Sequence, residues 1–133
     1  MSIKRYLVTS ALPYANGPIH IGHVAGAYLP ADIFVRYLRA NGEDVLYIGG
    51  TDEYGTAITE SARAQGTTPL AIATKYHEVI RDGFAALGIS FDNFSRTSLP
   101  VHTEVAQEFF TRLHSKGLLY SETTEQLFDP QLE

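Results

Sequence analysis

The chain has 133 residues, 44% of them hydrophobic, with 10 Lys and Arg against 15 Asp and Glu and no cysteine. That is enough for one domain with a packed core, and it excludes a disulfide framework or a thiolate metal site. The formal charge of −5 comes with scattered cations, so a main nucleic-acid surface, which needs clustered Lys and Arg to displace counterions, is expected elsewhere in a longer chain if RNA is handled at all. The apolar stretch over residues 21–38 is broken by His23, Asp32 and Arg36, leaving no run of about 20 apolar residues to cross a membrane. Lys4 and Arg5 lead into a β-rich stretch without a long apolar region or a small-residue cleavage site, so no secretory signal is expected.

In chain order, residues 6–10 (YLVTS) read as a short buried strand, followed by the turn-rich stretch LPYANGP at 12–18. From Ile19 the apolar residues Ile21, Val24, Ala25, Tyr28, Leu29, Ile33, Phe34, Tyr37 and Leu38 recur at helical spacing up to the stop at Asn41-Gly42. Pro30 is expected to kink that helix or displace its hydrogen bonding. Residues 44–49 (DVLYIG) read as a second buried strand, and the resulting β-α-β unit implies a right-handed crossover and a parallel sheet. A short helix over 57–64 is expected to end near Gly66. Thr68-Pro69 opens a longer one with the apolar face Leu70, Ala73, Tyr76, Ile80, Phe84 and Leu87, ending at Gly88. Residues 91–95 suggest a third strand, 100–116 an amphipathic helix through Val105, Phe109 and Leu113 ended by Gly117, and 118–120 and 126–128 weaker strands. A parallel sheet is normally covered on both faces, and no closing element follows, so the fold class is α/β: a half-domain with a parallel sheet and flanking helices.

The chemistry concentrates at the first strand-helix junction, residues 12–23 (LPYANGPIHIGH). This position is the ligand crevice of an open α/β sheet, and the N–H groups and dipole of a helix start suit a phosphate chain. His20 and His23, three apart, share a helix face and could donate together to one phosphate as charge builds in an in-line displacement. Gly22 removes a side chain between them, letting a flat group such as a purine or ribose approach the backbone. The plainer alternative is two partly buried histidines that cap the helix. A zinc reading lacks a third ligand and has a less apt spacing than HExxH. His77, His102 and His114 read as structural or solvated.

The string His20-Ile21-Gly22-His23 resembles the HIGH signature of class I aminoacyl-tRNA synthetases. The longer run VTSALPYANGPIHIGH, with GTDEYG at 50–55, LGISFDNFSRT at 87–97 and EQLFDP near the end, resembles methionyl-tRNA synthetases in order and spacing over essentially the whole chain. The resemblance implies a Rossmann-like (HUP-type) fold, with residues 1–128 as the N-terminal half of the nucleotide-binding catalytic domain and 129–133 as the truncated start of a connective insertion. It implies ATP with Mg2+ as the substrate complex, cradled by Pro13, Tyr14, Ala15, Asn16, Gly17, Pro18, Ile19, His20, Ile21, Gly22 and His23, with His20 and His23 catalytic on the phosphates. It puts Leu12 and Tyr14 against methionine and Asp52 beneath its α-ammonium; a turn or cap role for Asp52 is the alternative. Tyr54 stands where the family pattern usually reads His, and no role is carried onto it.

The pyrophosphate-holding KMSKS-type loop, the zinc knuckle, the anticodon-binding domain and the second half of the fold are not among these residues, and this chain holds no zinc ligands. The fragment alone is therefore expected to lack full activity. The partners implied are methionine, ATP and tRNA(Met), the last mainly through other domains, with no membrane, and the location implied is cytoplasmic. A nucleotidyltransferase acting on another substrate would share the HxGH geometry but not LPYANGP or the TDE segment. A noncatalytic nucleotide-binding module would keep the fold without turnover.

Overall fold

The computed structural model describes residues 5–125. Three strands, β1 (Tyr6–Thr9), β2 (Val45–Thr51) and β3 (Asn93–Arg96), form one parallel sheet in the order β1-β2-β3. The helices are α1 (Ile21–His23), α2 (Leu29–Ala40), α3 (Thr56–Ala64), α4 (Pro69–Ala86) and α5 (Pro100–Ser115). The α/β architecture and the parallel sheet agree with expectation. Residues 118–120, read as a weak strand, are irregular; the expected strand at 126–128 lies outside the described residues.

The expected single helix over residues 19–38 is interrupted as Pro30 requires. Between α1 and α2 lies a π-helical turn, Val24–Tyr28, in which the Leu29 N–H bonds to the Val24 carbonyl five residues back. Pro30 falls in the first turn of α2, where its missing N–H is no loss, and the wider turn absorbs what would otherwise be a clash with the preceding carbonyls. The π-turn also aims Tyr28 into the core, its ring 4.5 Å from that of Phe84, and its hydroxyl donates to the Ala11 carbonyl at 2.8 Å. Burial above all, with Tyr47 adding to it, pushes the Tyr28 phenol up to about 12.

One face of the sheet carries the main core: Tyr47 and Val45 from β2 meet Val35 and Leu38 of α2 and Ile80 and Phe84 of α4. The period-2 alternation turns Leu7 and Leu46 to the other face, where they are exposed. A second cluster, Ala15, Ile58, Ala62, Ile72 and Ala73, packs α3 and α4 under the loop after β1.

In two helices the structure adds to what the periodicity implied. In α4 the expected Ala73, Ile80 and Phe84 are buried and Tyr76 is partly buried, joined by Ile72 and His77, while Leu70 and Leu87 at the two ends of the helix are exposed. In α5 no residue is buried, and Val105, Phe109 and Leu113 face outward, because beyond its first turns none of the described elements packs against it.

Side-chain hydrogen bonds lock β3 in place. Asp32, in α2, accepts from Arg36 at 2.5 Å and from the Ser90 N–H and hydroxyl at 2.7 and 2.8 Å. Burial alone would raise its carboxyl, but these bonds hold it below its ordinary value. Asp92 accepts from the Tyr47 N–H and from Arg39, pinning the entry of β3 to β2.

Candidate active site

After β1 the chain continues beside the end of β2 in extended form. The Asp52 N–H donates to the Pro13 carbonyl and the Ala15 N–H to the Asp52 carbonyl, both at 2.9 Å, and Tyr14 and Asp52 form a parallel bridge. Alternation then divides the side chains. Pro13 and Ala15 turn inward with Thr51 and Glu53, whereas Leu12, Tyr14 and Asp52 emerge on the open side. The three residues assigned to methionine by resemblance are therefore brought to one end of the sheet, at the carboxyl ends of its strands, where ligands of open α/β sheets bind. The Asp52 side chain makes one local contact, accepting from the Tyr54 N–H at 3.3 Å.

The chain then turns through Asn16, Gly17 and Pro18, runs on through Ile19, and reaches the helix start at Ile21. His20 is the N-cap, in extended conformation, rather than a member of the helix. The two histidines cap reciprocally: the Gly22 N–H donates to His20 Nδ1 at 3.1 Å, and the His20 N–H donates to His23 Nδ1 at 3.2 Å. Their ring centroids lie 3.9 Å apart. Both Nδ1 atoms being acceptors, each neutral ring carries its proton on Nε2. The result is a pair of adjacent N–H donors at the helix start. Gly22 has a tighter role than open access to the backbone, since a Cβ there would lie 2.9 Å from His20 Cε1 and 3.0 Å from Nδ1. The His20 ring itself fills that space.

Tyr54 is exposed and lies with Tyr14 around a hollow at the start of α3, next to Gly55, whose φ of 136° suits only glycine. A cavity of about 300 Å³ opens beside Leu12, between Gly49, Gly50, Arg96 and the first turns of α5 at Val101, His102 and Val105. His102 thus lines a cavity, His114 is exposed, and His77 is buried.

Sequence reasoning passed over Thr51, Glu53, Arg96 and Thr97, which with His77, read there as structural or solvated, form a largely buried polar cluster beneath Asp52. A buried acid two residues from a buried threonine in TDE was the available signal, but its partner Arg96 lies 43 residues away. Among the described residues no group of three or more His, Asp or Glu side chains is placed to hold a metal ion, and no helix is long and apolar enough to cross a membrane.

A strand-loop-helix junction with paired imidazoles at the helix start, on a parallel sheet with flanking helices, is the arrangement of a class I synthetase fold. The family model described as tRNA synthetases class I (M) matches residues 6–133, and the chain belongs to that family. It is 54% identical over 130 residues to the methionine–tRNA ligase of Cytophaga hutchinsonii, a match covering 98% of this chain and 19% of the relative. It is 56% identical over 126 residues to that of Flavobacterium johnsoniae, covering 95% and 18%. The chain thus spans about a fifth of the length of the curated relatives it matches. Among solved structures, a Mycobacterium tuberculosis methionyl-tRNA synthetase in complex with methionyl-adenylate is similar with a TM-score of 0.82 at 36% identity, over 86% of this chain and 22% of that one. An Agrobacterium radiobacter LeuRS in a ternary complex with tRNA and LeuAMS gives a TM-score of 0.81 at 30% identity, over 88% of this chain and 15% of that one.

Proposed function

We propose that this segment forms one wall of the active site of a methionine–tRNA ligase. Residues 1–128 would make the first half of its nucleotide-binding domain, and 129–133 would lead into a connective insertion. In the full-length protein the methionine carboxylate attacks the α-phosphorus of ATP, a P–O bond to pyrophosphate breaks, and methionyl-adenylate results. The methionyl group then passes to tRNA(Met), which is held mainly by other domains. Mg2+ enters as part of the ATP substrate, any zinc site belongs to the insertion, and the reaction runs in the cytoplasm.

The observation that carries this reading is the reciprocally capped pair His20 and His23, whose Nδ1 atoms accept backbone bonds and so leave both Nε2–H groups without a hydrogen-bond partner among the described residues, set at the helix start beside the bridged Tyr14 and Asp52. The names of the relatives and the adenylate bound to the M. tuberculosis structure support it. The two donors stabilise the phosphate as negative charge develops, without reorganising. The segment from Pro13 to His23 cradles the nucleotide, Leu12 and Tyr14 supply apolar contact to methionine, and the Asp52 carboxylate meets its α-ammonium.

The test is methionine-dependent ATP–pyrophosphate exchange by the full-length protein. Replacing His20 or His23 with Ala should lower kcat about 100- to 1,000-fold, the usual loss for one preorganised donor, while methionine binding stays within about threefold. Equal losses in both quantities would point to a disrupted fold and against a role on the phosphates.

A further inference from the structure

Beneath Asp52 lies a charge that the reaction itself does not use. The Glu53 side chain is completely buried and paired with Arg96, whose Nε donates to Oε1 at 2.8 Å and Oε2 at 3.1 Å. The far end of Arg96 is held in turn by Thr74 Oγ1 at 2.7 Å. Thr51 donates its hydroxyl proton to Glu53 Oε1 at 2.9 Å. That proton being committed, the 2.8 Å contact between Thr51 Oγ1 and His77 Nδ1 has the imidazole as donor, which assigns His77 the Nδ1–H tautomer. Burial first, then Arg96, holds the His77 imidazole below its ordinary value, so the 3.8 Å approach of its ring to Glu53 is not an ion pair. The Glu53 N–H donates to Thr97 Oγ1 at 2.9 Å, and the Thr97 N–H donates to the Thr51 carbonyl at 3.1 Å.

Stability alone does not account for this arrangement. Replacing a buried ion pair by well-packed apolar residues is often neutral or stabilising, and β2 and β3 are already joined by their ladder. What the cluster does specifically is immobilise residues 51 and 53 from inside, on the side toward β3. Pro13 and Ala15 clamp residue 52 from the side toward β1. Between the two clamps stands Asp52, whose own side chain has one hydrogen bond among the described residues, at 3.3 Å. Its aim is therefore set by its neighbours' anchors.

We propose that Glu53, held by Arg96 and Thr97, is a positioning residue that aims the Asp52 carboxylate at the amino group of the amino-acid substrate; this rests on the reading of Asp52 given above. Glu53 touches no substrate. Its loss should therefore appear in methionine recognition and leave ATP recognition unaffected.

The experiment compares wild type, Asp52→Asn, Glu53→Gln and the double variant as full-length enzymes, measuring KM for methionine, KM for ATP, kcat of exchange and melting temperature. Glu53→Gln should raise KM for methionine about tenfold with KM for ATP within about twofold, and add less than about twofold when Asp52 is already Asn, since the two then act through one contact. A folded Glu53→Gln enzyme with wild-type KM for methionine overturns the proposal while Asp52→Asn still shows its own effect. An effect undiminished in the Asp52→Asn background overturns it too. If Asp52→Asn itself leaves KM for methionine unchanged, the ammonium reading fails and the positioning role with it. Should Glu53→Gln not fold, Thr97→Val removes only the acceptor of the Glu53 N–H. It should raise KM for methionine several-fold, and Thr97→Ser, which keeps the hydroxyl, should restore it. Wild-type KM in a folded Thr97→Val enzyme overturns the proposal.

Discussion

Gly22→Ala separates the catalytic use of the His20 ring from its use in the fold. A Cβ at residue 22 would stand 2.9 Å from His20 Cε1 and 3.0 Å from Nδ1, well inside the roughly 3.5–4.0 Å of a relaxed carbon contact. The backbone there is helical and the clashing group is a side chain, so the ring swings away and the helix stays. The swing breaks the Gly22 N–H bond to Nδ1, 3.1 Å long, and losing a cap of this kind costs about 0.5–2 kcal/mol. Alanine in place of glycine in a helix returns about 1 kcal/mol. Net stability should therefore change by less than about 1 kcal/mol, while displacing one preorganised donor from the phosphate removes about 2.7–4 kcal/mol of transition-state stabilisation. In the full-length enzyme the melting temperature should hold within a few degrees, by the usual conversion for domains of this size, as pyrophosphate exchange falls about 100- to 1,000-fold and methionine binding stays put. Exchange within about threefold of wild type in a folded Gly22→Ala enzyme would refute the claim that this ring position matters.

Three further outcomes follow from the structure. Asp52→Asn keeps shape and an acceptor but removes the charge, so methionine binding should weaken by about 1.5–3 kcal/mol, whereas an analogue lacking the amino group should bind both forms about equally poorly; equal losses for the two ligands would return Asp52 to a turn-capping role. The buried His77 imidazole titrates below its ordinary value of 6.5, first through burial and then through Arg96, so the unfolded chain takes up a proton there before the folded one does. Its contribution to stability is whole above about pH 6.5 and drains away as the pH falls below that. His77→Gln should flatten the melting-temperature profile between pH 6.5 and the carboxylate range, as read by thermal unfolding over a pH series, and an unchanged slope would refute the neutral buried tautomer. Glu53, whose carboxyl is held below its ordinary value of 4.5 by Arg96, Ser98 and Thr51 against the upward push of burial, adds a second decline that begins only below about pH 4.5 and should persist in His77→Gln.

Much of the fold was legible in the sequence because its signals are local. Short β-branched runs marked β1 and β2, a Thr-Pro pair opened α4, and glycines at 88 and 117 closed α4 and α5, where the structure places them at φ of 70° and 67°. Pro30 announced a break in the hydrogen bonding of the first helix, though not that a π-turn would provide it. The junction LPYANGPIHIGH was conspicuous for the same reason: turn residues and two histidines three apart need no knowledge of distant contacts.

Only the tertiary structure decided which way things face and what meets what. The buried stripe of α4 keeps the expected Ala73, Ile80 and Phe84 but adds Ile72 and His77 and leaves Leu70 and Leu87 exposed, because what covers the ends of a helix is set by its neighbours. The exposure of α5 likewise depends on what packs against it, which its own periodicity does not state. The protonated nitrogens of His20 and His23 follow from the 3.1 and 3.2 Å bonds that their Nδ1 atoms accept from backbone N–H groups. The cluster under Asp52 joins Thr51 and Glu53 to His77, Arg96 and Thr97, the last of them 44 residues after Glu53. Local pattern carries the period of an element and the chemistry of its residues, whereas a buried charge finds its partner only when the sheet has brought distant segments side by side.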